Sequence, residues 1–233
     1  MIPRIIHICW LSGDPYPDLI KECINSVKKH LSEYDIIVWD RTQFDIESCI
    51  WVKQAFENRK YAFAADYIRF YALYKYGGIY LDADVEVLKS FDNLLNQTYI
   101  LGEEAGGDIE AAVIGAEKEA LWVKECLEYY DNRCFLTPDG TFDMRPVPLL
   151  INDVARKYNL NIMPYHFFSP KNYITGDIDI TENTYSIHHF DGKWVKKGVV
   201  SNLKRNIHKI IYAILGRNWH NKLIHVIRPF IGH

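Results

Sequence analysis

Two aspartates stand one residue apart in Tyr76–Leu88, YGGIYLDADVEVL, just after a Gly-Gly pair and inside a run of Ile, Leu and Val. On an extended strand alternate side chains share a face, so Asp82 and Asp84 are predicted to point to the same side. Like charges there repel, and burying either without a partner is costly. A cation removes both penalties. Hard divalent ions such as Mn²⁺ or Mg²⁺ favour carboxylate and phosphate oxygens and often take only one or two protein carboxylates. The small Ala83 between the acids lets an ion and a diphosphate approach the backbone closely. The opposing reading is a surface strand that carries both acids in water, and the pair by itself does not separate the two.

The segment before it holds a second constellation. Across YAFAADYIRFYALYKY the only charges are Asp66, Arg69 and Lys75, and the first two are i,i+3 neighbours on one helix face. Almost every residue around them is apolar or aromatic, which predicts burial, and buried polar groups need several partners. A sugar offers hydroxyls that accept from Arg and donate to Asp. A helical ion pair is the competing reading. Trp10 and Asp40 stand at the ends of two further apolar runs, and His188–His189 near the end of a third. A tryptophan there serves the core or a ligand platform. A His pair serves as surface, as a hydrogen-bonded structural pair, or as a metal ligand.

The elements that must position these groups follow from pattern. PRIIHICW and YDIIVWD read as strands, and PDLIKECINSVKKH between them as a helix that starts at Pro17 and Asp18 and ends in basic residues. Helices are predicted around Glu47–Asn58 and Lys60–Tyr76, the latter stopping at Gly77-Gly78, and GIYLDADVEVL then follows as one strand. TYILGEE and AAVIGA read as short strands around a Gly-rich loop, and KEALWVKECLEYYDN and PLLINDVARKYN as helices. TYSIHHFDGKW reads as a strand running into a loop. Strands alternating with helices predict an α/β layered sheet with ligands at the carboxyl ends of its strands, where Trp10, Asp40 and Asp82 all lie. Glu103, Glu104 and Asp108 fall in a loop region where an acceptor or a catalytic carboxylate could sit, with nothing to select among them.

The chain has 233 residues, enough for one large domain or one with a small appendage. Aromatic residues reach 14%, with 16 Tyr, which suits a cleft lined by stacking surfaces. Its first residues do not read as a signal peptide, and the late apolar run IIYAIL is far short of a membrane span. Five scattered cysteines form no metal-binding spacing and read as reduced, buried thiols, pointing to the cytoplasm. The net charge of −3 hides an asymmetry: Gly192–His233 carries nine Lys or Arg and no acid. Such a basic end on an acidic body suggests an anionic surface as partner. Apolar Leu203, Ile207, Ile210, Ile211, Ile214 and Leu215 recur there at helical spacing. The segment 201–233 is therefore read as a basic amphipathic helical tail, either packed on the domain or docked on anionic lipid.

RIIHICW, IIVWD and above all YAFAADYIRFYALYKYGGIYLDADVEVLKSFD resemble glycosyltransferase family 32, the enzymes with a DXD-containing sugar-binding region. The Ala-Asp-x-x-Arg and Gly-Gly-x-Tyr-x-Asp-x-Asp patterns carry the likeness. It implies a GT-A fold over residues 1–200, a Rossmann-like mixed sheet flanked by helices. It also implies retaining transfer of a hexose or N-acetylhexosamine from a nucleotide sugar (UDP preferred, GDP as alternative) with Mn²⁺ or Mg²⁺. The acceptor implied is a saccharide, free or lipid-linked, in surface polysaccharide synthesis, with no role for nucleic acid.

By the same matching Trp10 would stack on the base, Asp66 and Arg69 would hold the donor sugar, and Asp82 would serve the ribose or sugar side and the metal. Asp84 would bind the metal and His188 would complete its site, with His189 as the competing choice. Asp40, Lys193 and Trp194 are further candidates for nucleotide contact. Two other classes stay open: a metal-dependent hydrolase or nucleotidyltransferase, and a non-catalytic carbohydrate- or lipid-binding module. The compartment expected is cytoplasmic, at the inner membrane face if the tail docks there.

Overall fold

The isoleucines of Ile5–Cys9 (β1) suit an interior strand, and β1 takes a parallel neighbour on each side. The computed structural model of the chain describes residues 1–105, 107–172 and 176–191. From β1 the chain runs through α1 (Asp18–His30), β2 (Asp35–Trp39), α2 (Ile50–Glu57), α3 (Tyr61–Tyr76) and β3 (Gly78–Leu81). Parallel strands need long crossovers, and α1 supplies one while α2 with α3 supplies the other. After the short β4 (Val85–Val87), β5 (Tyr99–Glu103) and β6 (Ile109–Ala116) form a hairpin whose β6 pairs antiparallel with β3. The order is β2-β1-β3-β6-β5. Then come α4 (Leu121–Glu128), α5 (Val147–Lys157) and β7 (Ser186–His188), and β7 pairs antiparallel with β4 as a separate two-stranded ribbon. This is the mixed α/β sheet with flanking helices that the resemblance to GT-A enzymes leads one to expect.

Alternation along the strands sorts the core into two faces. Ile6, Ile8, Ile79 and Leu81 join the cluster with α1 and β4, while Tyr80 joins the cluster with α2, α3, α4 and α5. Helix α3 is buried over most of its circumference, as its nearly unbroken apolar and aromatic sequence requires. It ends at Gly77 (φ 68°), and Gly78 (φ 105°) begins β3 directly. A Cβ on Gly78 would lie 2.5 Å from the Ile5 carbonyl oxygen, so only glycine lets the helix turn straight into a strand beside β1.

Three expectations change. The run GIYLDADVEVL is not one strand: it breaks at Asp82–Asp84, a turn that links β3 of the main sheet to β4 of the ribbon. Face alternation therefore does not govern the two aspartates. The helix expected from Lys118 begins only at Leu121, after Glu119 takes φ 61°. All five cysteines are free, but only Cys23 and Cys126 are buried; Cys9 and Cys49 are half-buried and Cys134 is exposed. No helix among the described residues is long and apolar enough to cross a membrane. The tail 201–233 and the domain boundary at 200 lie outside the described residues.

His7 ties β1 to its neighbours from the α3 face. The Trp39 indole N–H donates to its Nδ1 at 3.1 Å, and its Nε2–H donates to the Gly77 carbonyl at 2.8 Å. This pairing suits the neutral ring, and burial lowers its pKa to about 4, with the Gly77 carbonyl partly opposing. The unfolded chain takes up this proton near 6.5 while the folded chain resists it to about 4. Stability from this group is thus complete above the unfolded pKa and is lost as pH falls towards 4. Urea unfolding at pH 7.5 and 4.5 should show a drop that is roughly 2–3 kcal/mol smaller in His7→Gln than in the parent. Equal drops would assign the acid sensitivity to other groups.

Candidate active site

Ile8 pairs with Val38 on one side and Leu81 on the other, so β1, β2 and β3 reach their carboxyl ends together. Trp10, Asp40 and Asp82 are the next residues along or just beyond these ends. At β3 the chain leaves the sheet in steps. The Asp82 N–H still donates to the Ala112 carbonyl at 2.9 Å, and the Val85 N–H then closes a turn on the Asp82 carbonyl at 3.1 Å. Val85 opposes His188 in the β4–β7 ribbon, which carries the imidazole to the turn. The later chain is strapped there: the His189 N–H donates to the Asp84 carbonyl at 3.1 Å, and the Asp191 N–H to Asp84 Oδ2 at 2.8 Å.

One ligand atom each from Asp82, Asp84 and His188 lies within 4.8 Å of the others. His188 Nε2 is 3.6 Å from Asp84 Oδ1, too long for a hydrogen bond and suited to two donors sharing one ion. Of the two histidines, His188 is the one beside the aspartates, while His189 turns to Glu86, with Nε2 2.9 Å from Oε2. Burial works against the charge of Asp84, yet His188 and the Asp191 N–H hold its carboxyl down to about 2. Burial also opposes protonation of His188, but Glu110 and Asp84 raise its pKa well above the usual histidine range.

Glu110 is the residue that sequence reasoning missed. It is 3% exposed, in a strand with every residue buried. Its Oε2 accepts from His188 Nδ1–H at 3.2 Å and its Oε1 from the Ala112 N–H at 2.7 Å. Burial would raise its pKa, but the His188 imidazole, with the Ala112 N–H, holds it lowered. The available signal was an acid alone within IEAAVIGA, where nothing but a partner justifies a charge.

Beneath the turn sits the pair from α3. Asp66 and Arg69 are 7% and 4% exposed. Arg69 Nη2 donates to Asp66 Oδ1 at 2.8 Å and lies 3.6 Å from Asp82 Oδ1, while Nη1 donates to the Ala111 carbonyl at 2.7 Å. The guanidinium lies over the Tyr80 ring at 4.7 Å, and the Tyr80 hydroxyl donates to Asp82 Oδ1 at 2.7 Å. The structure shows a buried ion pair that abuts the DXD turn. Burial pushes Asp66 up to about 7 against the pull of Arg69. Burial also raises Asp82, and Asp84 adds to the shift while Arg69 opposes it.

The other sequence candidates are held locally. The Trp10 indole N–H donates to the Asp14 carbonyl at 2.8 Å and its ring meets Tyr16 edge-on at 5.0 Å, leaving it partly exposed beside the strand ends. Asp40 Oδ1 accepts from the Thr42 hydroxyl, the Thr42 N–H and the Gln43 N–H, a turn cap that keeps its carboxyl below the usual range. Lys193 and Trp194 lie outside the described residues.

Two carboxylates and one imidazole make a donor set that suits a divalent ion of the Mn²⁺ kind, with Mg²⁺ served by the carboxylates. The carboxylates of Asp66, Asp82, Asp84 and Glu110 outnumber the Arg69 guanidinium and the His188 imidazole within this region. The residues present fit a cation.

Residues 17–101 match the family described as "Glycosyltransferase sugar-binding region containing DXD motif". An uncharacterized protein of Arabidopsis thaliana is 36% identical over 129 residues, covering 52% of this chain and 20% of that protein. Mannosyl phosphorylinositol ceramide synthase SUR1 of Saccharomyces cerevisiae is 27% identical over 206 residues, covering 85% of this chain and 51% of that one. Inositol phosphoceramide mannosyltransferase 3 of Schizosaccharomyces pombe is 28% identical over 121 residues, covering 50% and 34%. The chain spans between a fifth and a half of the length of these relatives. Among solved structures, the PaToxG glycosyltransferase superposes with a TM-score of 0.49 at 15% identity, covering 67% of this chain and 70% of that one.

The Arg69 network gives a stability prediction. Arg69→Met leaves Asp66 and the Ala111 carbonyl without their cationic partner, and should cost about 3–5 kcal/mol in urea unfolding. Arg69→Lys should recover only part of this, because one ammonium cannot reproduce the two-armed fork. A Met variant as stable as the parent would show that the pair does not hold the turn to α3.

Proposed function

We propose that this chain is a metal-dependent, retaining glycosyltransferase that moves a hexosyl group from a nucleotide sugar to a lipid-linked saccharide or polyol acceptor. The observation that carries the reading is the convergence of Asp82, Asp84 and His188 at the carboxyl edge of the sheet, with both aspartates inside the segment 17–101 that matches the sugar-binding family. A bound Mn²⁺ or Mg²⁺ there supplies Lewis-acid stabilisation to the departing nucleoside diphosphate.

The chain's own residues do the rest. Asp82, Asp84 and His188 would hold the ion, and the Asp82–Asp84 turn would bring the diphosphate against backbone. Trp10, partly exposed at the end of β1, offers a stacking face to the base. Arg69 donates inward, to Asp66 and Ala111, so its contribution is to fix Asp82 and set the charge beneath the sugar. Retention by attack from the same face as the departing diphosphate fits these commitments. Asp66 is bound to Arg69, and Glu110 to His188 and Ala112, so neither stands ready as a carboxylate nucleophile.

The names of the yeast relatives support a mannosyl group and an inositol phospholipid acceptor over a polysaccharide. A hydroxyl-rich headgroup at a membrane also gives the basic segment 201–233 a purpose as an anchor on anionic lipid, with the site at the membrane face. UDP- and GDP-linked donors are both to be offered in the assay.

Asp84→Ala should abolish transfer and remove the Mn²⁺-dependent part of nucleotide-sugar binding while the protein stays folded. The check is mass detection of product on inositol phospholipid and saccharide acceptors, with thermal shift against donors with Mn²⁺ or EDTA. Full transfer in EDTA, or in Asp84→Ala, would sink the cation-dependent reading. Release of free sugar with no transfer to any acceptor would favour a hydrolase.

A further inference from the structure

Glu110 occupies a place where the fold alone has no use for a carboxylate. It is 3% exposed, and β6 is buried along all eight residues. A charge removed from water is costly unless each of its oxygens is partnered. Both are, and by different parts of the chain: Oε1 by the Ala112 N–H at 2.7 Å, Oε2 by His188 Nδ1–H at 3.2 Å.

The first contact lies beside an irregularity in β6. Leu101 of β5 faces Ile114, but the next residue, Gly102, faces Glu110, so Ala111–Val113 have no partner on β5. The backbone here is bonded by other parts of the chain. The Ala111 carbonyl takes Arg69, the Ala112 carbonyl takes the Asp82 N–H, and the Ala112 N–H takes Glu110. Glu110 is thereby locked to the same stretch of backbone that holds the DXD turn, which fixes its distance from Asp82.

The second contact concerns His188, whose ring has two chemically distinct nitrogens. Hydrogen bonding at Nδ1 decides where the proton sits and turns the other nitrogen, Nε2, towards Asp84 Oδ1 at 3.6 Å. The Phe190 ring, centred 4.0 Å from that of His188, closes one face of the imidazole. We propose that Glu110 is a positioning residue: by accepting from Nδ1–H it fixes the tautomer and rotation of His188, so that Nε2 faces the cation held by Asp82 and Asp84. The inference rests on the cation reading of the site given under Proposed function. A carboxylate behind a ligating histidine orients the ring and raises its basicity, and loss of such a partner typically weakens metal binding by about 10–100-fold.

The test uses the whole chain and Mn²⁺ alone, with binding followed by electron paramagnetic resonance and no donor present. Glu110→Gln keeps shape, but its single amide oxygen can accept from Ala112 or from His188 and not from both. The variant should bind Mn²⁺ about 10–100-fold more weakly than the parent. In a His188→Ala background the same substitution should cause little further loss, because the residue through which Glu110 acts is gone. Unchanged affinity in the folded Glu110→Gln protein overturns the proposal. So does an equal loss with and without His188, which would mean that Glu110 acts by charge alone. If the parent binds no Mn²⁺ at all, the cation reading itself fails and this proposal with it. Should Glu110→Gln fail to fold, ¹⁵N-histidine spectra of the parent with Zn²⁺, a diamagnetic ion that imidazole ligates, decide: a proton on Nδ1 and none on Nε2 supports the assignment, and any other state of His188 overturns it.

Discussion

A guanidinium buried among aromatic rings constrains everything around it. Arg69 cannot be left without partners, because an unpaired interior charge costs more than most single interactions contribute. It meets that demand by joining three parts of the chain: Asp66 one turn earlier on α3, the Ala111 carbonyl on β6, and the neighbourhood of Asp82 at the end of β3. Tyr80 completes the arrangement, with its ring under the guanidinium and its hydroxyl on Asp82. The central helix, the sheet and the DXD turn are thus held in register by one side chain. β6 departs from regular pairing with β5 at Ala111–Val113, and the Ala111 carbonyl is left to accept from that side chain.

The same irregular stretch organises both halves of the site. On one side it receives Arg69 and the Asp82 N–H, and on the other it fixes Glu110 behind His188. The acidic side chains are kept close by bonds that differ from one to the next. Asp84 is held ionised by His188 and a backbone N–H, while burial lifts Asp66 towards neutrality. Carboxylates crowded in this way are tolerable when a cation is shared between them.

Much of this was legible locally. The helix that ends at Gly77, the strand alternation in the first half and the burial of Asp66 and Arg69 all follow from composition and periodicity. The meeting of the two aspartates was foreseen for an incorrect reason. Pleat alternation along one strand was expected to align them, whereas a turn between two sheets brings them together. Glu103, Glu104 and Asp108 drew attention because loops often hold functional acids, while Glu110 lay unremarked inside a strand two residues further on.

By itself the sequence determined the elements and the charges that must be satisfied, because those depend on side-chain volume, periodicity and the cost of burying polar groups over a few neighbouring residues. Only the tertiary structure decided which charges satisfy each other. His188 lies 104 residues after Asp84, and the choice between His188 and His189 turned on the register of a three-residue ribbon, in which Val85 faces His188 and His189 is left to Glu86. Strand pairing has a period of two, so a slip of one residue would have exchanged the two rings. Such a register is set by the packing of the whole sheet and has no local signature in the amino acids that obey it.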